Sequence, residues 1–263
     1  MITYAQNHED IILERAFACV QEGFYVDVGA WDPVLDSVTC HFYQRGWRGV
    51  NIEPETDKFL ALAGARPRDV NLQVAVGAEA GQAEMFQISG TGLSTLDRNI
   101  AGGHAQKDFH ATSVEVKLLT LNEIFAEHAP GVVHFLKVDC EGSEAAVLNA
   151  FDLTRFRPHI ILVEATWPLT RKASREGFEP KLLANGYHMR YFDGLNRFYS
   201  AEECPELTDE MFLPPNVFDS YKRNSDVVIQ KKLEAALKLA RSKLKNAKAE
   251  LASLRATPNV GGE

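Results

Sequence analysis

Tyr25-Val26-Asp27-Val28-Gly29-Ala30-Trp31-Asp32 decides the fold. Its apolar, β-branched first half reads as a buried strand, and the run then breaks at Gly29. Residues 37–46 carry helix-like apolar spacing at Val38, Phe42 and Tyr43, with Ser37 as N-cap. Strand, glycine turn and helix form the opening unit of an open α/β sheet, whose ligands bind at the carboxyl ends of the strands.

Working outward, Arg48-Gly49-Val50-Asn51-Ile52-Glu53-Pro54 reads as a second strand closing on an acid. Glu53 follows Gly29 at close to the roughly 20 residues at which such folds place a carboxylate on a ribose. A helix over 56–64 and a third strand over 70–77 follow. Extended pieces are expected at 85–88 and 113–119. Between them lies a polar, glycine-rich loop over 89–109, long enough to serve as a substrate lid. Core strands at 133–139 and 159–164 end on Asp139 and Glu164, with Ser143 capping a helix between them. A helix over 179–185 leads to a hairpin over 187–192 and 195–199 around Asp193-Gly194. Upstream, Ile11, Ile12, Leu13, Phe17 and Val20 mark an amphipathic helix capped by the polar cluster at Gln6, Asn7, Glu9 and Asp10.

A chain of 263 residues can bury a full core, and no apolar run approaches the roughly 20 residues that span a bilayer. Cys19, Cys40, Cys140 and Cys204 show neither paired nor metal-ligand spacing and read as reduced thiols of a cytoplasmic protein. Net charge is −8 although the segment after Tyr221 is rich in Lys and Arg. The remainder is therefore more acidic still, which argues against nucleic acid as a partner. In that basic segment Leu237, Leu244 and Leu251 repeat at seven, as do Leu233, Ala240, Ala247 and Leu254. The pattern predicts a coiled-coil helix over 222–256 that self-associates or takes a helical partner; a basic helix resting on a membrane surface is the alternative. Residues 257–263 read as a disordered tail.

Asp27, Glu53, Asp139 and Glu164 converge, on this reading, at one sheet edge. An acidic rim suits a cation bearing ribose hydroxyls better than a pyrophosphate. The G-x-G-x-x-G of a dinucleotide turn is missing: Trp31 fills the second glycine position, and Pro33 and Leu35 follow. S-adenosylmethionine, with a sulfonium and no phosphate, is favoured over NAD, and a Rossmann oxidoreductase is a rival that lacks its glycines.

Tyr4-Ala5-Gln6-Asn7 with Glu9-Asp10, Phe24-Tyr25-Val26-Asp27-Val28-Gly29-Ala30, Gly49-Val50-Asn51-Ile52-Glu53-Pro54 and Phe135-Leu136-Lys137-Val138-Asp139-Cys140-Glu141-Gly142 resemble the FkbM family of S-adenosylmethionine-dependent O-methyltransferases. Gly92-Leu93-Ser94-Thr95 and Tyr191-Phe192-Asp193-Gly194-Leu195-Asn196-Arg197-Phe198-Tyr199 resemble its branch among bacterial glycan and polysaccharide genes. The resemblance covers about residues 3–218, with Trp31 standing where the family usually has Asn. It implies a Rossmann-like, seven-stranded class I methyltransferase sheet with an antiparallel last strand, in a domain over 1–221. Carried over by position, Asp27 and Gly29 would hold the methionine end of the cofactor and Glu53 its ribose. Gln6, Ala30, Ser37, Pro54 and Val76 belong to the same cofactor site, with the turn after Val76 beside adenine. Asp139 and Glu141 would face the methyl group and the acceptor.

Transfer to a sugar hydroxyl needs a base. Asp139 is the first candidate and Glu141 the second; His41, His104 and His110 are reserves, and Lys137 would orient or neutralise Asp139. Ser94, Thr95, Glu164 and Trp167 are candidate substrate residues, with Thr91, Asp97 and Arg98 on the same loop and Arg197 and Tyr199 structural. A metal is an open question, and direct contact of Asp139 and Glu164 with cofactor or substrate is the favoured reading. If one served, Asp139 and Glu164 would hold Mg²⁺ through hard oxygens. Two other functions compete: methylation of a natural-product hydroxyl, and a non-catalytic scaffold assembled through the coiled coil.

Overall fold

A computed structural model describes residues 1–88, 90–105, 110–129 and 131–256; the tail expected at 257–263 lies outside the described residues. The chain divides into residues 4–219 and a second unit of residues 1–3 with 220–263. Residues 1–3 join the second unit because the Ile2–Thr3 strand pairs in parallel with Lys222–Arg223. That unit also contains one continuous helix, Asn224–Ala256.

The first unit is built on a seven-stranded sheet in the order Tyr187–Phe192, Asn196–Ala201, Ile160–Glu164, Phe135–Val138, Phe24–Val28, Arg48–Ile52, Val70–Leu72. Asn196–Ala201 runs antiparallel to both of its neighbours, and the other four pairings in the sheet are parallel. This mixed α/β sheet has the seven-stranded architecture, with its antiparallel strand, expected from the sequence. The central strands are buried along their length, with Val26, Phe135, Leu136, Ile160 and Ile161 at 0% exposure, as strands are when both faces are covered. Phe42 and Trp47, with ring centroids 4.8 Å apart, pack the core beside Phe135. Because the parallel strands share one direction, their carboxyl ends open together, and the apolar-then-acidic pattern delivers acids to that edge.

Several local expectations are corrected. The single strand expected over 70–77 is two: Val70–Leu72 closes the large sheet, whereas Ala75–Val76 joins Thr112–Leu119 and Gly81–Gln87 in a three-stranded sheet. The Leu72 carbonyl takes the Glu53 amide, and the Gly77 amide goes instead to Leu119, so the chain changes sheets at residues 73–74. The helix expected over 37–46 is shorter, Cys40–Gln44, and Ser37 does not cap it. Its hydroxyl accepts from Arg66 at 2.6 Å, while the hydroxyl of Thr39, at the N-cap position, donates to Asp27 at 2.7 Å. Ser143 precedes the Glu144–Ala150 helix but makes no side-chain cap bond.

At the amino end the helix is Glu9–Ala16, so Phe17 and Val20 lie beyond it, and Glu9 and Asp10 are buried in its first turn rather than in front of it. Asp10 accepts the Tyr4 amide and Glu9 the Asn7 amide, each at 2.8 Å. Nor is 89–109 a plain loop: Arg98–Ala105 is helical, its start fixed by Asp97, which accepts the amides of Asn99 and Ile100. Ser89 and residues 106–109 lie outside the described residues. No helix among the described residues is long and apolar enough to cross a membrane.

Candidate active site

The carboxyl ends of Phe24–Val28, Arg48–Ile52 and Phe135–Val138 open on a cavity of about 250 Å³. Gln6, Asp27, Gly29, Ala30, Ser37, Glu53, Pro54, Val76, Ser94, Asp139 and Glu141 all line it. Thr95, Glu164 and Trp167 are not on its wall.

Gly29 makes the turn with φ +73°, a conformation L side chains resist. A β-carbon there would stand 1.9 Å from the Asp139 carbonyl oxygen. The turn is therefore pressed against the next strand end, and only glycine fits. Trp31 follows with φ 50°. Its amide donates to Glu53 Oε2 at 2.9 Å and its indole to the Thr91 carbonyl at 3.0 Å, with the Lys58 ammonium 4.3 Å over the ring. Glu53 Oε1 accepts the Glu55 amide at 2.8 Å. Burial pushes the Glu53 carboxyl up to about 7, against the pull of these amides.

Lys137 sits at the centre of the charges. Its ammonium lies 3.0 Å from the Gly29 carbonyl oxygen, 3.4 Å from Asp27 Oδ1 and 3.2 Å from Asp139 Oδ2. Burial alone would lower its pKa, but the Asp139 and Asp27 carboxylates prevail and raise it, so the charge persists. Asp27 is 1% exposed; its Oδ2 accepts from Thr39, and its Oδ1 has no hydrogen-bond partner among the described residues.

On the far side Asp139, Glu141 and Glu164 bring carboxylate oxygens within 4.8 Å of one another. Burial, then the neighbouring carboxylates, raises both Glu141 and Glu164 well above the usual range. Such hard oxygens are of the kind Mg²⁺ takes, but the Lys137 ammonium already places a positive charge against Asp139. The turn carrying Asp139 and Glu141 is held by Glu144, which accepts the amides of Cys140 and Gly142 at 2.9 and 3.1 Å. Glu141 has φ 49°, and its carbonyl accepts the Thr95 hydroxyl at 2.8 Å. Thr95 thus spends its hydroxyl on the turn rather than presenting it to the cavity. Trp167 is 39% exposed, on a turn closed by its carbonyl and Thr170.

The remaining candidates lie elsewhere. His41 pairs with Glu14 at 2.9 Å, and His110 is exposed; neither lines the cavity, and the side chain of His104 lies outside the described ones. Arg98 pairs with Glu84. Arg197 and Tyr199 both donate to Glu179, a structural arrangement. Asn196 donates to Glu9 at 2.7 Å, tying the hairpin to the helix that follows Gln6.

Two residues carry more than their sequence context suggests. Arg66, 2% exposed, donates to Thr39, Asn51, Ser37 and the Pro33 carbonyl; no motif surrounds it. Glu55 accepts from Ser94 and from Gln87, the latter at 3.0 Å, and lines the cavity. Its place just after Glu53-Pro54 was the available signal.

The methyltransferase FkbM domain model matches residues 27–207, most of the chain. No curated protein sequence matches the chain. The chain belongs to the FkbM methyltransferase family. Membership makes it a methyltransferase and implies S-adenosylmethionine as methyl donor.

Proposed function

We propose that this methyltransferase is an O-methyltransferase acting on a sugar hydroxyl, carried by a glycan, a polysaccharide or a nucleotide sugar. The observation that supports it is the cluster of Asp139, Glu141 and Glu164, the first two of which line a cavity otherwise suited to a nucleoside. S-adenosylmethionine, when bound, supplies an electrophilic methyl group on a positively charged sulfur. The residues fit that molecule. Glu53 offers a free lone pair on each oxygen to a ribose diol, since each already holds one amide. Val74, Val76 and Met85 give an apolar wall for adenine. Asp27 lines the same space, and Gly29 leaves the turn open for close approach.

An acceptor hydroxyl is a weak nucleophile until its proton is taken. Asp139 is assigned that role. Glu141 and Glu164, whose carboxyls burial and the neighbouring carboxylates push up, are assigned to position the neighbouring hydroxyls. Holding the oxygen in line with the methyl group is the larger contribution. Ser94 lies on the cavity wall for the acceptor, and Trp167 offers an exposed ring for a sugar face. Lys137 supplies the local positive charge, so no metal is invoked and turnover should survive exhaustive chelation.

The test is Asp139→Asn. Turnover should fall about 10²–10⁴-fold while calorimetry shows S-adenosylhomocysteine bound within a few-fold of wild type. Wild-type turnover in that variant removes the base assignment. A methylated nitrogen or carbon in the product, read by NMR, removes the hydroxyl acceptor.

A further inference from the structure

We infer that the Asn224–Ala256 helix pairs antiparallel with the same helix of a second copy of this chain. Its 33 residues present a leucine seam to solvent, with Leu233, Leu237, Leu244 and Leu251 at 65, 50, 56 and 50% exposure. Isolated helices draw their stability from packing such a face.

The composition of the seam selects the orientation. One core position is leucine (Leu237, Leu244, Leu251), whereas the other is alanine at Ala240 and Ala247. A parallel, in-register pair stacks alanine on alanine in one layer and leucine on leucine in the next, alternately thin and thick. An antiparallel pair with its twofold beside Ser242 sets Leu237 against Ala247 of the second copy and Leu244 against Ala240 of the second copy. Leu233 then meets Leu251. Each central layer joins a large side chain to a small one, the arrangement that fills a core evenly.

Charge agrees. The antiparallel register places Glu234 beside Lys248 of the second copy, and does so twice by symmetry. The parallel register instead sets Lys243 beside Lys248, a like-charge contact at flanking positions that choose partner and orientation. Arg241 and Lys243 meet their own copies near the antiparallel twofold, where long side chains splay into water. The sparse apolar face, with no aromatic residue among positions 224–256, suits a helix better than a bilayer surface.

The full chain tests this. Light scattering should give the mass of a dimer, and Leu237→Glu with Leu244→Glu should halve that mass while leaving S-adenosylhomocysteine affinity unchanged. For orientation, a nitroxide on Lys232→Cys in a Cys19→Ser background should report a label separation of about 30 Å, from twenty residues of offset at about 1.5 Å each. A parallel pair brings the labels to within about 20 Å, given axes about 8–10 Å apart. A short distance overturns the inference, as does a dimer that survives the double substitution. A monomer overturns it too, whether or not it co-sediments with anionic vesicles.

Discussion

The Lys137 ammonium lies 3.2 Å from Asp139 Oδ2, on the strand end that carries the proposed base. The same ammonium faces Asp27 and the Gly29 carbonyl, so one side chain links the cofactor turn to the acceptor side. Lys137→Met therefore leaves two carboxylates without their cation. Stability should fall by about 3 kcal/mol, the lower end for breaking a buried pair because Asp139 is partly exposed. Urea denaturation measures the loss, and turnover should drop with it.

Gly29→Ala places a methyl group against the Asp139 carbonyl oxygen and demands a left-handed alanine. Steric and backbone strain together should cost about 3 kcal/mol or more. Thermal unfolding gives the stability, and S-adenosylhomocysteine titration should show binding lost first.

Glu53 should make cofactor affinity depend on pH. Its carboxyl ionises near 7 in the folded protein, and the ionised form accepts ribose hydroxyls best. S-adenosylhomocysteine affinity should rise up to about tenfold between pH 6 and 8 as the ionised fraction grows. Glu53→Gln should bind more weakly and lose that slope in calorimetry.

The unliganded fold should respond to pH in the opposite sense. Burial raises Glu53 and Glu144 to about 7 and Glu9 to about 8, above the roughly 4.3 of an unfolded glutamate. The folded state thus holds protons that the unfolded chain releases, and stability falls as pH rises through that window. Differential scanning fluorimetry should show a lower melting temperature at pH 8 than at pH 5. Added S-adenosylhomocysteine should narrow the gap.

Arg66→Met should separate binding from chemistry. Losing the donor to Thr39, Ser37 and the Pro33 carbonyl frees the turn that borders the cofactor. An increase in KM for S-adenosylmethionine of about tenfold, with kcat within a few-fold, would mark Arg66 as a positioning residue; about 3 kcal/mol of stability should go with it.

The strands were legible because apolar runs such as 24–28 and 135–138 are buried on both faces and stop at an acid or glycine. Most of the cavity wall followed, since parallel strands put their ends together. What escaped was decided by long-range partners. Nothing local says that Val70–Leu72 and Ala75–Val76 join different sheets. The helix at Arg98–Ala105 contains Gly102 and Gly103, poor formers by propensity. Ser37 looks like a cap until Arg66, far along the chain, claims its hydroxyl. Thr95, a reasonable sugar ligand by type, is committed to the Glu141 carbonyl.

The bond between Asn196 and Glu9 joins residues 187 positions apart, and Gln6 on the cavity wall lies just upstream of it. During synthesis, the stretch around Glu9 must wait until Asn196 has left the ribosome before this bond can form. A nascent chain stopped short of Asn196 would carry every residue that lines the cavity yet lack this clasp.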